Sequence, residues 1–222
     1  MIWVKLLNAQ AVRLGTIILD AGAGAGYYEF TTHFPIDNNN AYNDLIFTST
    51  LPCVNAELAL ARWVGVGVRY RAAYYKTSAT NFIPGQDFVY RLSFYIGNKN
   101  NNKFNIPIGL SYGTSTFRYI PKDNVGHIFA DGSVFNLHIS PHFYPTKFLG
   151  VYFSLGFNSH VFRKINYLDT DGTTYTEADD YHMSMYGAYF EGGITFRLHT
   201  LPNMRREKPI EHEKQSKQAV TY

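Results

Sequence analysis

A face-sorted alternation, sustained over segments too long for ordinary globular strands, constrains this chain most. In 64–76, Val64, Val66, Val68, Tyr70, Ala72 and Tyr74 fall on one face of an extended chain, and Gly65, Gly67, Arg69, Arg71 and Ala73 on the other. The same sorting recurs in 104–113, where Phe104, Ile106, Ile108, Leu110 and Tyr112 oppose Asn105, Pro107, Gly109, Ser111 and Gly113. It recurs again in 149–158, where Leu149, Val151, Phe153, Leu155 and Phe157 oppose Gly150, Tyr152, Ser154, Gly156 and Asn158. Side chains on a strand alternate between faces with period two, so each segment reads as a strand with one greasy and one polar face. Eight such strands are predicted, at 14–31, 50–62, 64–78, 87–97, 103–118, 133–144, 148–165 and 182–199. Each supplies the 9–11 residues, roughly, that a tilted strand needs to cross a bilayer.

The direction of the faces follows from packing. The polar face carries glycine, serine, asparagine and full charges, which do not make a close-packed core. The apolar face is continuous from strand to strand. In water it would form a patch far beyond the few hundred Å² of a soluble monomer. Placing it against lipid and closing the sheet resolves both problems, because a closed barrel leaves no unpaired edge in the hydrocarbon. Connections at 32–49, 79–86, 119–132 and 166–181 are long and rich in Asn, Asp, Gly and Thr; those at Trp63, Asn98–Asn102 and Pro145–Lys147 are short. That alternation is the outer-membrane barrel pattern, and an even strand number puts both termini at the short-turn, periplasmic end.

Composition agrees. Tyr 18, Phe 17 and Trp 2 suit strands and membrane interfaces, and Gly 18 suits close strand approach. No run of 18 apolar residues exists, which excludes a helical span. The net charge of +3 is scattered, so no nucleic-acid partner is expected. Cys53 is the single cysteine and cannot form an internal disulfide. Residues 1–13 form an N-terminal segment in which Lys5, Leu6, Leu7 and Ala9-Gln10-Ala11 look like the end of a secretory signal. The barrel is expected over 14–199. A polar tail over 200–222 contains Arg205, Arg206 and Lys208 as a handle for a periplasmic partner or the cell wall; its composition is too polar to bury a core.

Reading the alternation inward gives a lumen set of Asp20, Glu57, Arg69, Arg71, Arg91, Glu191 and Arg197. Buried charges must be paired, so an interlocked ion-pair network is expected to fill the barrel. At eight strands the interior has room for side chains and little else. His138, His142 and His160 also point inward, but His138 and His142 are four residues apart on one strand, about 13 Å, too far for one ion. No metal and no cofactor are expected. Two enzymatic patterns fail at the outer rim. Asp180-Tyr181-His182 is a short acid–His motif of the kind outer-membrane proteases use, with Asp179 and Asp171 nearby, and it recurs by chance. Ser159 and His160 are adjacent and face opposite ways; Ser184 and His182 share a face and leave a lipid-modifying rim enzyme as an alternative.

The segments Phe104–Gly113 (FNIPIGLSYG), Leu149–Phe157 (LGVYFSLGF) and Gly192–Leu198 (GGITFRL) resemble strands of small outer-membrane β-barrel proteins of the OmpA-barrel and OmpX type. They are most similar to the outer-membrane β-barrel families of Bacteroidota, including PorT-like proteins. The resemblance covers 14–199 and implies an all-β, antiparallel up-and-down transmembrane barrel in the outer membrane. It further implies a non-enzymatic role as scaffold or accessory subunit of an envelope complex, in contact with outer-membrane lipid, lipopolysaccharide and neighbouring proteins. A rim enzyme, a surface adhesin and a narrow pore are the alternatives.

Overall fold

The computed structural model describes residues 12–33, 41–76, 83–96, 103–119, 127–168, 174–176 and 182–199. The strands are β1 (Thr16–His33), β2 (Ala41–Ala59), β3 (Val64–Lys76), β4 (Ile83–Ile96), β5 (Phe104–Tyr119), β6 (His127–Ile139), β7 (His142–Phe143), β8 (Leu149–Leu168), β9 (Thr174–Thr176) and β10 (His182–His199). Every pairing is antiparallel and joins sequence neighbours around the sheet, with β7 and β9 as short additions against β5 and β8. The sheet closes where β10 pairs β1 along its full length, from Thr16↔His199 to His33↔His182. Eight long strands therefore make a closed up-and-down barrel, as the alternation predicts.

Boundaries shift in instructive places. β2 begins at Ala41, within the segment expected as the loop 32–49, and β8 runs to Leu168. Pro141 falls between β6 and β7. It cannot donate to the ladder. Pro52 lies where the β2–β3 register shifts between Thr50 and Cys53, a bulge that tolerates the missing donor.

Outward-facing residues form a continuous apolar band: Leu110, Phe135, Leu137, Val151, Phe153, Leu155, Phe190 and Ile194 are all exposed. On β5 the band runs from Phe104 to Tyr112, about 21 Å of height at about 40° of strand tilt, which matches an outer-membrane hydrophobic belt of roughly 25 Å. Aromatics mark its edges. Trp63 stacks on Phe94 (centroids 6.3 Å, 15° between planes) near the termini, and Tyr27, Tyr74, Tyr112 and Tyr186 face outward at the opposite edge. An arginine replacing Leu137, in the middle of this band, is expected to lower stability in vesicles by about 2–4 kcal/mol, whereas one replacing the exposed Asp131 beyond it costs about 0–1 kcal/mol. Urea titration of both variants in lipid vesicles checks the contrast; equal costs would place the membrane elsewhere.

Beyond the band the strands continue, and there the polarity of the wall inverts. Outward positions become Glu29, Lys76, Gln86, Thr116, Asp131, Arg163 and Lys164. Inward positions become Phe30, Ile46, Tyr75, Phe117, Phe162, Met183 and Met185, which pack into one buried apolar cluster. Phe117 contacts Phe30, Tyr75 and Phe162 at centroid distances of 5.8, 5.1 and 5.7 Å. This collar has the polarity of a water-soluble barrel, with a plug of aromatic and sulfur side chains as its core. The expectation of a lumen poor in large apolar groups is thus corrected for this end, where the inward side chains are aromatic, aliphatic and sulfur-bearing. A smaller cluster of Val12, Ile18, Ala59 and Tyr95 lies toward the end that carries the termini.

Candidate functional site

Between the plug and the terminus-side mouth lies the feature most open to chemistry, a column of buried charged and polar side chains. Each belongs to the inward parity of its strand, so the period that builds the lipid face also delivers them to the lumen. The ionised groups buried there are Asp20, Glu57, Asp87, Glu191, Arg69, Arg71, Arg91 and Arg197, four acids against four arginines. The predicted set lacked Asp87, which made the lumen look one positive charge in excess. Asp87 lies two residues before Val89 on the same face of β4, and strict parity finds it once the strand is begun at Ile83.

Nearest the plug, Arg71 pairs with Asp87 through its terminal nitrogen and donates from Nε at 2.9 Å. Ser115 donates to the other Asp87 oxygen at 2.7 Å, and its hydroxyl lies 3.0 Å from His160 Nδ1. With its amide oxygen turned to Arg71, Asn158 accepts from both terminal nitrogens at 2.6 and 2.8 Å and from the Tyr28 hydroxyl at 2.7 Å. One level down, Arg69 pairs with Glu191, donates to the Tyr189 hydroxyl at 3.0 Å and to Cys53 Sγ at 3.4 Å, and places its guanidinium 5.1 Å from the Tyr189 ring centre. Tyr189 can sit there because Gly156 faces it: a Cβ at Gly156 would lie 2.5 Å from the ring.

Arg91 and Glu57 form the third pair at 3.0 Å, with Ser93 donating to Glu57 at 2.6 Å and Tyr95 donating to its other oxygen. Asp20 accepts from Asn55 at 2.9 Å and lies 3.6 Å from His142 Nε2. At the mouth, Arg197 lies over the Tyr144 ring at 4.0 Å and donates to the Lys147 carbonyl at 3.4 Å. The structure therefore brings together Arg69 with Glu191 and Arg91 with Glu57 from the predicted set. It pairs Arg71 with Asp87, outside that set, and gives Asp20 and Arg197 separate surroundings.

The three predicted lumen histidines are buried but go to different partners: His138 to Asn136 at 2.8 Å, His142 to Asp20, and His160 to Ser115. Among the described residues no three His, Cys, Asp or Glu side chains converge on a metal position. Ser184 faces outward on β10, opposite Thr31 and Val161. The His182 side chain, the segment Asp179–Tyr181 and the tail residues Arg205, Arg206 and Lys208 lie outside the described residues.

Chemically, the column balances four acids with four arginines, three of each in direct pairs, while Asp20 Oδ1, Arg91 Nη2 and the Nε2 atoms of His138 and His160 are buried without a hydrogen-bond partner. Between Arg69, Arg71, Asp87, Asn136 and Asn158 the remaining void is about 10 Å³, room for about one water.

No protein-family model matches the chain, and no curated protein does. The finer resemblance to Bacteroidota barrels finds no support among these comparisons. Solved structures do match. The outer membrane protein OprG from Pseudomonas aeruginosa aligns with 86% of this chain and 99% of its own at 11% identity and a TM-score of 0.53. The outer membrane protease OmpT from Escherichia coli covers 82% of this chain and 97% of its own at 10% identity and a TM-score of 0.41. Ail, the attachment invasion locus protein of Yersinia pestis, covers 83% and 99% at 11% identity and a TM-score of 0.35. At such identities the likeness to OprG concerns the fold, and the fold is that of the small outer-membrane β-barrels.

Proposed function

We propose that this chain is an integral outer-membrane barrel with a sealed lumen, serving as a scaffold or accessory subunit of an envelope complex. The observation that carries the reading is the filling of the barrel: four buried acids and four buried arginines in a column, three of each directly paired, closed on one side by an apolar plug. An ion entering would have to separate buried pairs and then pass Phe117, Phe162 and Met185. Such a lumen stabilises a rigid cylinder, and a rigid cylinder positions whatever it holds at its two ends. At one end is the collar around the apolar plug. At the other are the ends of the described chain, Val12 and His199, and the polar sequence of 200–222 supplies charge to a periplasmic partner.

Even strand number and the shorter connections at the terminus-bearing end support placing the collar outside the cell and the termini in the periplasm. Two measurements test the reading together. Purified protein in planar bilayers is expected to give no stepwise currents at low voltage. Extraction from native membranes in mild detergent, through a tag on the tail, is expected to bring down a stoichiometric envelope protein. Stable single-channel steps, or a monodisperse partner-free barrel, would defeat the sealed-scaffold reading.

A further inference from the structure

The turns at the end of the barrel that carries Val12 and His199 are tight and internally bonded. Gly15 sits at φ 75°, a conformation that glycine adopts without strain, and its amide donates to the Ala59 carbonyl at 2.9 Å. Thr16 closes the same turn. Its amide donates to the Arg13 carbonyl at 3.0 Å, and its hydroxyl oxygen accepts from the Arg13 amide at 3.0 Å and lies 2.9 Å from His199 Nδ1. Between β2 and β3, the amides of Leu60 and Ala61 both donate to the Val64 carbonyl, at 3.0 and 3.1 Å. Between β7 and β8, the Thr146 hydroxyl oxygen accepts from the Leu149 amide at 2.8 Å. Each of these bonded turns presents one exposed cation: Arg13, Arg62 and Lys147.

The rest of that rim has the same sign. Lys103, just before β5, is exposed, and Arg197, near the end of β10, lies over the Tyr144 ring at 4.0 Å. Among the described residues of 12–16, 59–64, 103–104, 140–149 and 196–199 there is no Asp or Glu. Five cations thus gather at one mouth of a chain whose whole net charge is +3. The collar, by contrast, mixes Glu29 and Asp131 with Arg163 and Lys164. The wall at the basic end stays apolar right up to the turns, where Trp63, Phe104, Phe143, Phe148 and Leu198 are exposed. The charge therefore crowns the mouth, and the wall beside it does not share it.

We infer that this basic rim is a docking surface for an acidic segment of a partner protein, laid across the mouth. Charge complementarity selects the partner: a one-sign rim attracts and orients a segment rich in Asp and Glu, and repels a basic one. The bonded turns hold Arg13, Arg62 and Lys147 in place before the partner arrives, so little ordering cost is added on binding. The lumen behind is filled, so the contact is a cap over the mouth and not an entry into it. A protein fits better than lipid headgroups because the cations stand on the turns around the mouth, whereas the wall that lipid meets is apolar. The inference rests on the proposed reading of the barrel as an accessory subunit, to which it adds the surface used and the charge of the partner.

The experiment places the full chain in phosphatidylcholine nanodiscs and measures binding of a fluorescent Glu-Ser repeat peptide against its Gln-Ser counterpart. Wild type is expected to hold the acidic peptide about tenfold more tightly, and to lose most of that preference as salt is raised. Arg62→Gln/Lys147→Gln is expected to weaken the acidic peptide by about fivefold, while Arg163→Gln/Lys164→Gln on the collar leaves it unchanged. A photo-crosslinker in the acidic peptide is expected to label the turns at 59–64 and 145–149 of wild type, which keeps the test open if the rim variant does not fold. Equal binding of the two peptides, unchanged binding in the folded rim variant, or labelling confined to the collar or to 200–222 would each overturn the inference. So would displacement of the peptide when phosphatidylglycerol enters the nanodisc, which would assign the rim to lipid headgroups. A stoichiometric partner from native membranes alongside equal binding of the two peptides would overturn this surface and leave the accessory-subunit reading standing. Single-channel steps alongside a retained peptide preference would do the reverse.

Discussion

Replacing Arg69 by methionine is expected to lower the unfolding free energy of the barrel by about 3–5 kcal/mol. The arginine is buried and pairs with a buried Glu191, with Cys53 and Tyr189 completing its surroundings. Methionine has similar length and leaves little void, so the loss comes from an uncompensated carboxylate in a site that water reaches poorly. The double variant Arg69→Met/Glu191→Leu removes both charges and is expected to recover most of the loss, because a desolvated ion pair adds little over an apolar pair of the same volume. Urea unfolding in vesicles measures all three proteins. If the double variant falls as far as the single, the cost is one of packing and the ion-pair account of the lumen fails.

The second large effect belongs to the plug. Phe162 is fully buried, stacks on His160 (centroids 6.0 Å, 15°) and meets Phe117. Phe162→Ala should cost about 3–5 kcal/mol, the sum of lost transfer energy and a cavity that a closed ring of strands is slow to collapse. Because the ion-pair column lies beneath, the same variant should still carry no current. A small loss, below about 1 kcal/mol, would mean that the plug is loosely packed and that the collar does not behave as a soluble core. Currents appearing in this variant alone would mean that the plug is the seal and the ion pairs are not.

Much of the barrel was legible in the sequence because a membrane strand must repeat one instruction at every second residue. The last strand runs from His182 to His199 in both readings. Parity also placed the lumen charges, since Arg69 and Arg71 are unmistakably opposite Val68 and Tyr70. Pairing was not legible. Arg69 and Glu191 are 122 residues apart and meet only because β10 closes on β1 and Arg69 reaches across the interior. Asp87 was missed for a local reason: Pro84 and Gly85 read as loop, so the strand was begun at the aspartate itself and its parity was not used. The start of β2 was missed for a deeper one. Where Leu45 and Phe47 flank Ile46, apolar residues occupy both faces, and simple alternation disappears. Parity separates inside from outside; it does not say which side is wet, and that assignment changes along this barrel's own axis.

The inverted collar also sets the order of events when the barrel enters a membrane. One end of the finished cylinder wears charge on its outside, and that end must traverse the hydrocarbon before it reaches water on the far side. Arg163 and Lys164 alone would each oppose passage by about 2.5–3.5 kcal/mol at the bilayer centre on an insertion scale. The reverse penalty falls on Phe117, Phe162 and their neighbours, which are wet until the ring closes around them. Crossing and closing are therefore coupled: strands that cross before the ring closes expose the plug, and a ring that closes first must drag its charged crown through lipid. Slow unassisted insertion, faster in thin or defect-rich bilayers, is the kinetic signature of that conflict.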